Sequence, residues 1–136
     1  MEKSRAYDPY IELNKGATLT VESYDKTQKI AVNSGKVAVG GKPGIVEISG
    51  LATGRQEAGI NGCLGLWLSL FRYMRPDGTT DHVPGWNIML PLTAGQTPVQ
   101  SAVDFAACLN AGTRPYRAAV TGDNTAATLI IVFTAK

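Results

Sequence analysis

Short runs of alternating apolar and polar residues fill most of the chain. Leu19 and Val21 alternate with Thr18, Thr20 and Glu22 over 17–23, which predicts a half-buried strand. Ile30 and Val32 mark a second strand at 29–33; 36–39 and 45–49 read as a third and a fourth. Turn chemistry separates them at Tyr24-Asp25-Lys26, Ser34-Gly35 and Gly40-Gly41-Lys42-Pro43-Gly44. Short strands punctuated at a spacing of roughly eight to twelve residues predict a sandwich or barrel.

The middle of the chain is more hydrophobic. Over 63–75, Leu64, Leu66, Leu68 and Leu70 share one parity, and Trp67, Ser69, Phe71 and Tyr73 share the other. A helix here would have to bury leucines on all sides. Gly62, Gly65 and the turn Pro76-Asp77-Gly78-Thr79 favour one long strand instead. A partner strand returns over 81–92 with Trp86, Ile88 and Leu90 on one face. Pro84 and Pro91 cannot donate to a ladder, which places this strand at an edge or keeps it short. Between the early strands and this block, the glycine-rich stretch 50–62 reads as a long loop that exposes Arg55, Gln56 and Glu57 as a candidate contact surface.

One stretch breaks the alternation. Thr97-Pro98-Val99-Gln100 has the form of a capping box, with proline at the first helical position. Val99, Ala102, Val103, Ala106 and Leu109 follow at helical spacing, with Phe105 at the edge of the stripe. Gln100, Ser101, Asp104 and Cys108 fall opposite. Gly112 is placed to end the helix in the left-handed region. Two strands follow, 116–120 and 128–134, around the turn Thr121-Gly122-Asp123-Asn124. Leu129-Ile130-Ile131-Val132-Phe133 is apolar at both parities, which predicts a central strand buried on both sides. Loss of even a few C-terminal residues is then expected to harm folding.

The resulting prediction is a mainly β, antiparallel sandwich or jelly-roll-like fold with one α-helix, about 98–111, packed on the sheet. Residues 17–136 form a single domain. Residues 1–16 read as an N-terminal arm whose Tyr7, Tyr10, Ile11 and Leu13 are candidate subunit contacts, since tyrosine offers large contact area with a polar tip.

Composition narrows the function classes. The 136 residues are enough for one domain with a real core, and 18% charged against 44% apolar is not a disordered composition. The net charge of +2 comes from scattered basic residues without a stacking-aromatic pattern, so nucleic acid is not an expected partner. No apolar run approaches the ~20 residues of a membrane span. Met1–Arg5 lacks a following apolar region, so no secretory signal is expected. Cys63 and Cys108 have no metal-ligand spacing; a disulfide between them stays open, with a reducing cytosol preferred.

Catalytic chemistry is sought without a clear result. The glycine loop at 40–44 lacks the Ser or Thr and the helix that a phosphate cradle needs after its lysine, and it reads as a hairpin turn. His82 is the single histidine, and Asp81 beside it in a strand would point to the opposite face, which does not suit a triad. Cys108 lies far from the positive end of its helix and reads as a structural thiol. The expectation is a protein that is not an enzyme and uses no cofactor or metal.

The segment Pro98-Val99-Gln100-Ser101-Ala102-Val103-Asp104-Phe105-Ala106-Ala107-Cys108-Leu109-Asn110-Ala111-Gly112 resembles a pattern in tailed-bacteriophage structural proteins. There an alanine-rich helix ending in Asn-Ala-Gly leads into a strand, a Gly/Asn turn and a closing strand. Here Arg117-Ala118-Ala119-Val120-Thr121-Gly122-Asp123-Asn124-Thr125-Ala126-Ala127-Thr128-Leu129 continues it. The resemblance implies a virion protein made in the host cytoplasm. It would be a capsid decoration or cement protein that acts as a homo-oligomer on the major capsid protein, or a small tail or connector component. Two other readings stand beside it. One is a carbohydrate- or receptor-binding module that uses Trp67, Tyr73 or Trp86 as stacking surfaces. The other is a hydrolase built around His82.

Overall fold

The fold is that of a computed structural model, which describes residues 15–56 and 59–134. Ten strands and one helix follow in the order β1 (Ala17–Ser23), β2 (Lys29–Ser34), β3 (Lys36–Val37), β4 (Gly44–Ser49), β5 (Cys63–Leu68), β6 (Phe71–Met74), β7 (Thr80–Val83), β8 (Trp86–Pro91), α1 (Pro98–Ala111), β9 (Tyr116–Gly122) and β10 (Ala126–Phe133) among the described residues. Two antiparallel four-stranded sheets have the orders β3-β1-β5-β8 and β2-β4-β10-β9, and β6 and β7 form a separate hairpin. Among the described residues the fold is therefore mainly β, a sandwich with one helix.

Alternation along each strand builds the core. In the first sheet Leu19 pairs with Leu68 and Val21 with Leu66, while Leu66 pairs with Ile88 and Leu64 with Leu90. In the second, Leu129 lies between Val46 and Val120, and Ala127 pairs with Ile48. These inward residues join Phe105 and Leu109 of α1 in one continuous buried cluster. The helix links the edge strand β8 of one sheet to the edge strand β9 of the other and packs on both sheets.

The helix begins as its sequence predicts. The Thr97 side chain accepts from the Gln100 amide, and the Gln100 side chain accepts from the Thr97 amide. Its buried face is turned from the predicted one. Pro98, Ser101, Ala102, Phe105, Ala106 and Leu109 are buried, whereas Val103 is 51% exposed. Ser101 causes the turn: its hydroxyl donates to Oε1 of the buried Gln28 at 2.5 Å and accepts from Gln96 at 3.0 Å. Gly112 ends the helix in extended backbone, with φ −79°, not in the left-handed region. Asn110 takes over at that end. Its side-chain amide accepts from the Ala118 N–H at 2.9 Å and donates to the Ala118 carbonyl at 3.1 Å, which covers the outer edge of β9.

Three strand expectations are corrected. The stretch 63–75 is two strands, because Ser69 closes β5 against Thr18 through two bonds of 2.8 and 3.0 Å. The burial parity flips across that break, so Leu70 is 57% exposed while Phe71 and Tyr73 are buried. The stretch 81–92 likewise divides at Pro84-Gly85 into β7 and β8, with β8 at the edge of its sheet. β10 is central but buried on one face only. Ala127, Leu129 and Ile131 are buried, Thr128 and Ile130 are half-buried, and Val132 is exposed. An aromatic cluster holds the β6–β7 hairpin to the sandwich: Tyr73 meets Phe133 edge-on at 4.9 Å, and Phe71 lies 6.0 Å from Phe133 and 6.5 Å from Tyr116.

Candidate functional site

The outward face of the first sheet is the candidate. β5 presents Cys63, Gly65 and Trp67 there, flanked by Thr20 and Glu22 of β1 and by Asn87 and Met89 of β8. Gly65 has no side chain, so a trough of about 210 Å³ opens above it. A Cβ at Gly65 would stand 3.1 Å from the Met89 sulfur and 3.7 Å from the Tyr24 ring, which places both side chains at the trough's rim. Trp67 is 41% exposed, Met89 45% and the neighbouring Leu70 57%. Trp67 and Met89 thus stand in water on one sheet face, with Leu70 exposed in the β5–β6 connection.

Trp67 is held in place. A Cβ at Gly85 would fall 2.5 Å from Cη2 of the indole, so the six-membered edge of the ring packs closely against the glycine that separates β7 from β8. Strand pairing sets Thr20 and Asn87 on either side of it. The aromatic surface is thus positioned before any partner arrives, which lowers the ordering cost of binding. The Glu22 carboxylate, hydrogen-bonded to the Tyr24 hydroxyl, pushes that phenol above its ordinary value, with burial adding to the effect. Burial pushes the Cys63 thiol up as well, which leaves it a poor nucleophile at neutral pH. Cys63 and Cys108 are both free thiols.

The other proposed surface aromatics are elsewhere. Tyr73 is 7% exposed and faces the core, with its hydroxyl donating to Asp81 at 3.2 Å. Trp86 is half-buried, stacked on Tyr116 at 6.3 Å with the Arg114 guanidinium 4.5 Å from its centroid. The parity switch at Ser69 turns Tyr73 inward, and Trp86 packs beside Gly112 at the helix end while staying partly exposed. The candidate subunit contacts Tyr7, Tyr10, Ile11 and Leu13 lie outside the described residues. In the 50–62 loop Arg55 is exposed and Gln56 half-buried, and Glu57 lies outside the described residues.

His82 is exposed and pairs across the hairpin with Arg72, whereas Asp81 pairs with Tyr73. The Asp81 carboxyl is held below its usual range first by Arg75, which it meets at 2.5 Å, and it also accepts from the His82 backbone. The imidazole and the carboxylate therefore serve opposite faces. Asp77 and Asp123 are committed to turns, each held below the usual range by the hydroxyl and amide of a threonine two residues on. No group of three or more His, Cys, Asp or Glu able to hold a metal occurs among the described residues. No helix among them is long and apolar enough to cross a membrane.

Buried polar residues that the sequence pattern does not mark as buried hold the loops beside this face. Asp25 is 4% exposed in the β1–β2 turn, and its carboxylate accepts from the amides of Thr27, Gln28, Thr53 and Gly54 at 2.8–3.1 Å. Burial raises this carboxyl, but the four amides together outweigh it and hold it down at about 2. Gln28 extends the network, donating to the carbonyls of Gly50 and Gln96. The turn, the 50–54 loop and the start of α1 are locked together beside Tyr24. A groove of about 560 Å³ lies apart from this face, between the 93–96 loop and Val99 and Val103 of the helix.

Fold and site together define a β-sandwich with one helix and an open, partly apolar sheet face. No protein-family model matches the chain, and neither does a curated protein or a solved structure.

Proposed function

We propose that the protein is a non-enzymatic structural subunit of a tailed-phage virion, and within that class a capsid decoration or cement protein that docks on the assembled shell as a homo-oligomer. The observation that carries the reading is the open face of the first sheet, where a seated Trp67 stands with Met89 and Leu70 in solvent. A flat aromatic and aliphatic surface on a rigid sheet suits contact with another folded surface. The segment that resembles phage structural proteins folds as helix, strand, turn and closing strand, with Asn110 fastening the helix end to β9. Binding that selects the assembled shell stabilises it by mass action. Shells that carry the protein are expected to survive heating that opens stripped shells, and re-adding it is expected to restore the tolerance. Equal survival with and without the protein would defeat the cement reading.

A second reading has its own observation. An exposed indole packed on Gly85 between Asn87 and Thr20 is also a surface on which a sugar ring stacks. A glycan that shifts tryptophan fluorescence saturably, and fails to do so in a Trp67→Phe variant that keeps the wild-type fold, would favour a carbohydrate-binding module over a virion subunit.

A further inference from the structure

The two four-stranded sheets end in the edge strands β3, β8, β2 and β9, and an edge is a row of unpaired backbone groups that invites another chain. Three of these edges carry a device against that. β3 is only two residues long. β2 carries Lys29 and shifts register between Val32 and Ser34. β9 carries Arg117, and the Asn110 side chain bonds both the N–H and the carbonyl of Ala118. β8 is the exception. Its six residues, Trp86–Pro91, hold no charged side chain and pair with β5 without a break in register.

The ladder shows which backbone groups of β8 are left over. The Leu92 N–H donates to the Gly62 carbonyl at 3.0 Å, and Leu90, Ile88 and Trp86 follow it at alternate positions along the same pairing. The backbone groups of those residues therefore face β5, and those of Asn87 and Met89 face away from it. Pro91 falls in the outward set as well, where a missing N–H costs the ladder nothing. Among the described residues no hydrogen bond reaches the outward groups of Asn87 or Met89. Both side chains are exposed, and α1 packs chiefly on β9 and β10 of the second sheet.

We propose that β8 pairs antiparallel with β8 of a second copy of this chain, about a two-fold axis at Ile88. In that register Asn87 stands opposite the partner's Met89, so the outward N–H and carbonyl groups of the two exchange bonds on each side of the axis. The inward and outward sides also match. Ile88 meets its own counterpart and Trp86 meets the partner's Leu90 on the core side, while Asn87 and Met89 meet on the open side. No like charges are brought together. The joined sheet doubles the open face, with Trp67 and Met89 of each copy on one continuous surface. This inference rests on the homo-oligomeric part of the proposed function and gives that oligomer a self-complementary interface. It does not depend on the shell.

The test joins two measurements on the full-length protein. Light scattering on a sizing column over a wide dilution series reads the mass, and amide hydrogen exchange at the same concentrations reads Asn87 and Met89. A dimer that dissociates on dilution is expected, with both amides protected in the dimer and exchanging freely in the monomer. Met89→Pro removes an outward N–H as Pro91 does, and Met89→Lys supplies the edge charge that β8 lacks. Each is expected to weaken the dimer by about tenfold or more, since symmetry removes the contact twice, with the wild-type circular dichroism retained. Should the proline variant fail to fold, the lysine variant carries the test. A monomer at every concentration, a dimer whose Asn87 and Met89 amides exchange freely, or a folded Met89→Lys variant that dimerises as fully as the wild type would overturn the pairing. Shell binding is read separately: a dimer that ignores shells leaves this interface standing, and a monomer that binds them removes it alone.

Discussion

At the residue scale, Asp25 does most to hold the candidate face in place. Its carboxyl sits at about 2 in the folded chain against an ordinary 3.8. A depressed folded value means that the ionised form stabilises the fold. That stability is complete above the unfolded value and is lost as pH falls through about 2. A shift of this size corresponds to about 2 kcal/mol. Asp25→Asn keeps the shape but turns an amine toward amide donors, and is expected to cost about 2 to 3 kcal/mol at neutral pH. Denaturant unfolding at pH 6 and pH 2.5 checks both: the wild type weakens on acidification, and the variant weakens less. A variant as stable as the wild type at pH 6 would contradict the role. Little of this was legible beforehand. Asp25 reads as a turn residue and Ser101 as the polar side of a helix, and nothing in the pattern singles out Gln28. Their burial becomes visible only when three segments far apart in sequence meet, and a periodicity argument assigns every polar residue to water.

At the element scale, the pattern is legible where one signal dominates. The capping box and Pro98 set the helix start, and the single-parity runs at 17–23 and 45–49 set two strands. It is less legible where both parities are apolar. Over 64–73 the leucines favour one face and Trp67, Phe71 and Tyr73 the other, so no alternation argument tells where the chain switches. The switch at Ser69–Leu70 depends on the long-range bonds to Thr18. That break decides the site, because it sends Tyr73 inward and leaves Trp67 and Leu70 outside. The structure therefore expects Phe71→Ala to destabilise by about 3 to 5 kcal/mol, whereas Leu70→Ser stays within about 0.5 kcal/mol of the wild type. Thermal or denaturant unfolding of the two variants separates them. Equal losses would mean that the long uninterrupted strand was the better description.

At the scale of the whole molecule, two sheets and a bridging helix close one core and leave one sheet face available. The second sheet also has an outward face, but Lys29, Glu47 and Arg117 stand among its residues, whereas Trp67 and Met89 give the first sheet's outward face its apolar character. That difference follows from strand order, which no single stretch of sequence reveals. The arm belongs to this scale too. The described chain enters the fold at Gly16, whose φ of +83° and contact with the Val37 carbonyl leave no room for a side chain. A chain lacking residues 1–14 keeps that junction, and under the proposed homo-oligomeric reading light scattering on a sizing column is expected to show a lower mass than for the full chain. Identical masses would remove the arm from any subunit contact.

The central claim is that the Trp67 face meets the shell, and co-sedimentation tests it most directly. Wild-type protein and Trp67→Ala, each mixed with undecorated tailed-phage shells, are spun through a cushion and the pellets compared. The predicted result is wild-type protein in the shell pellet and the variant left in the supernatant, with both showing the same unfolding midpoint within a few degrees. A variant that pellets with the shells as fully as the wild type would contradict the assignment of this face.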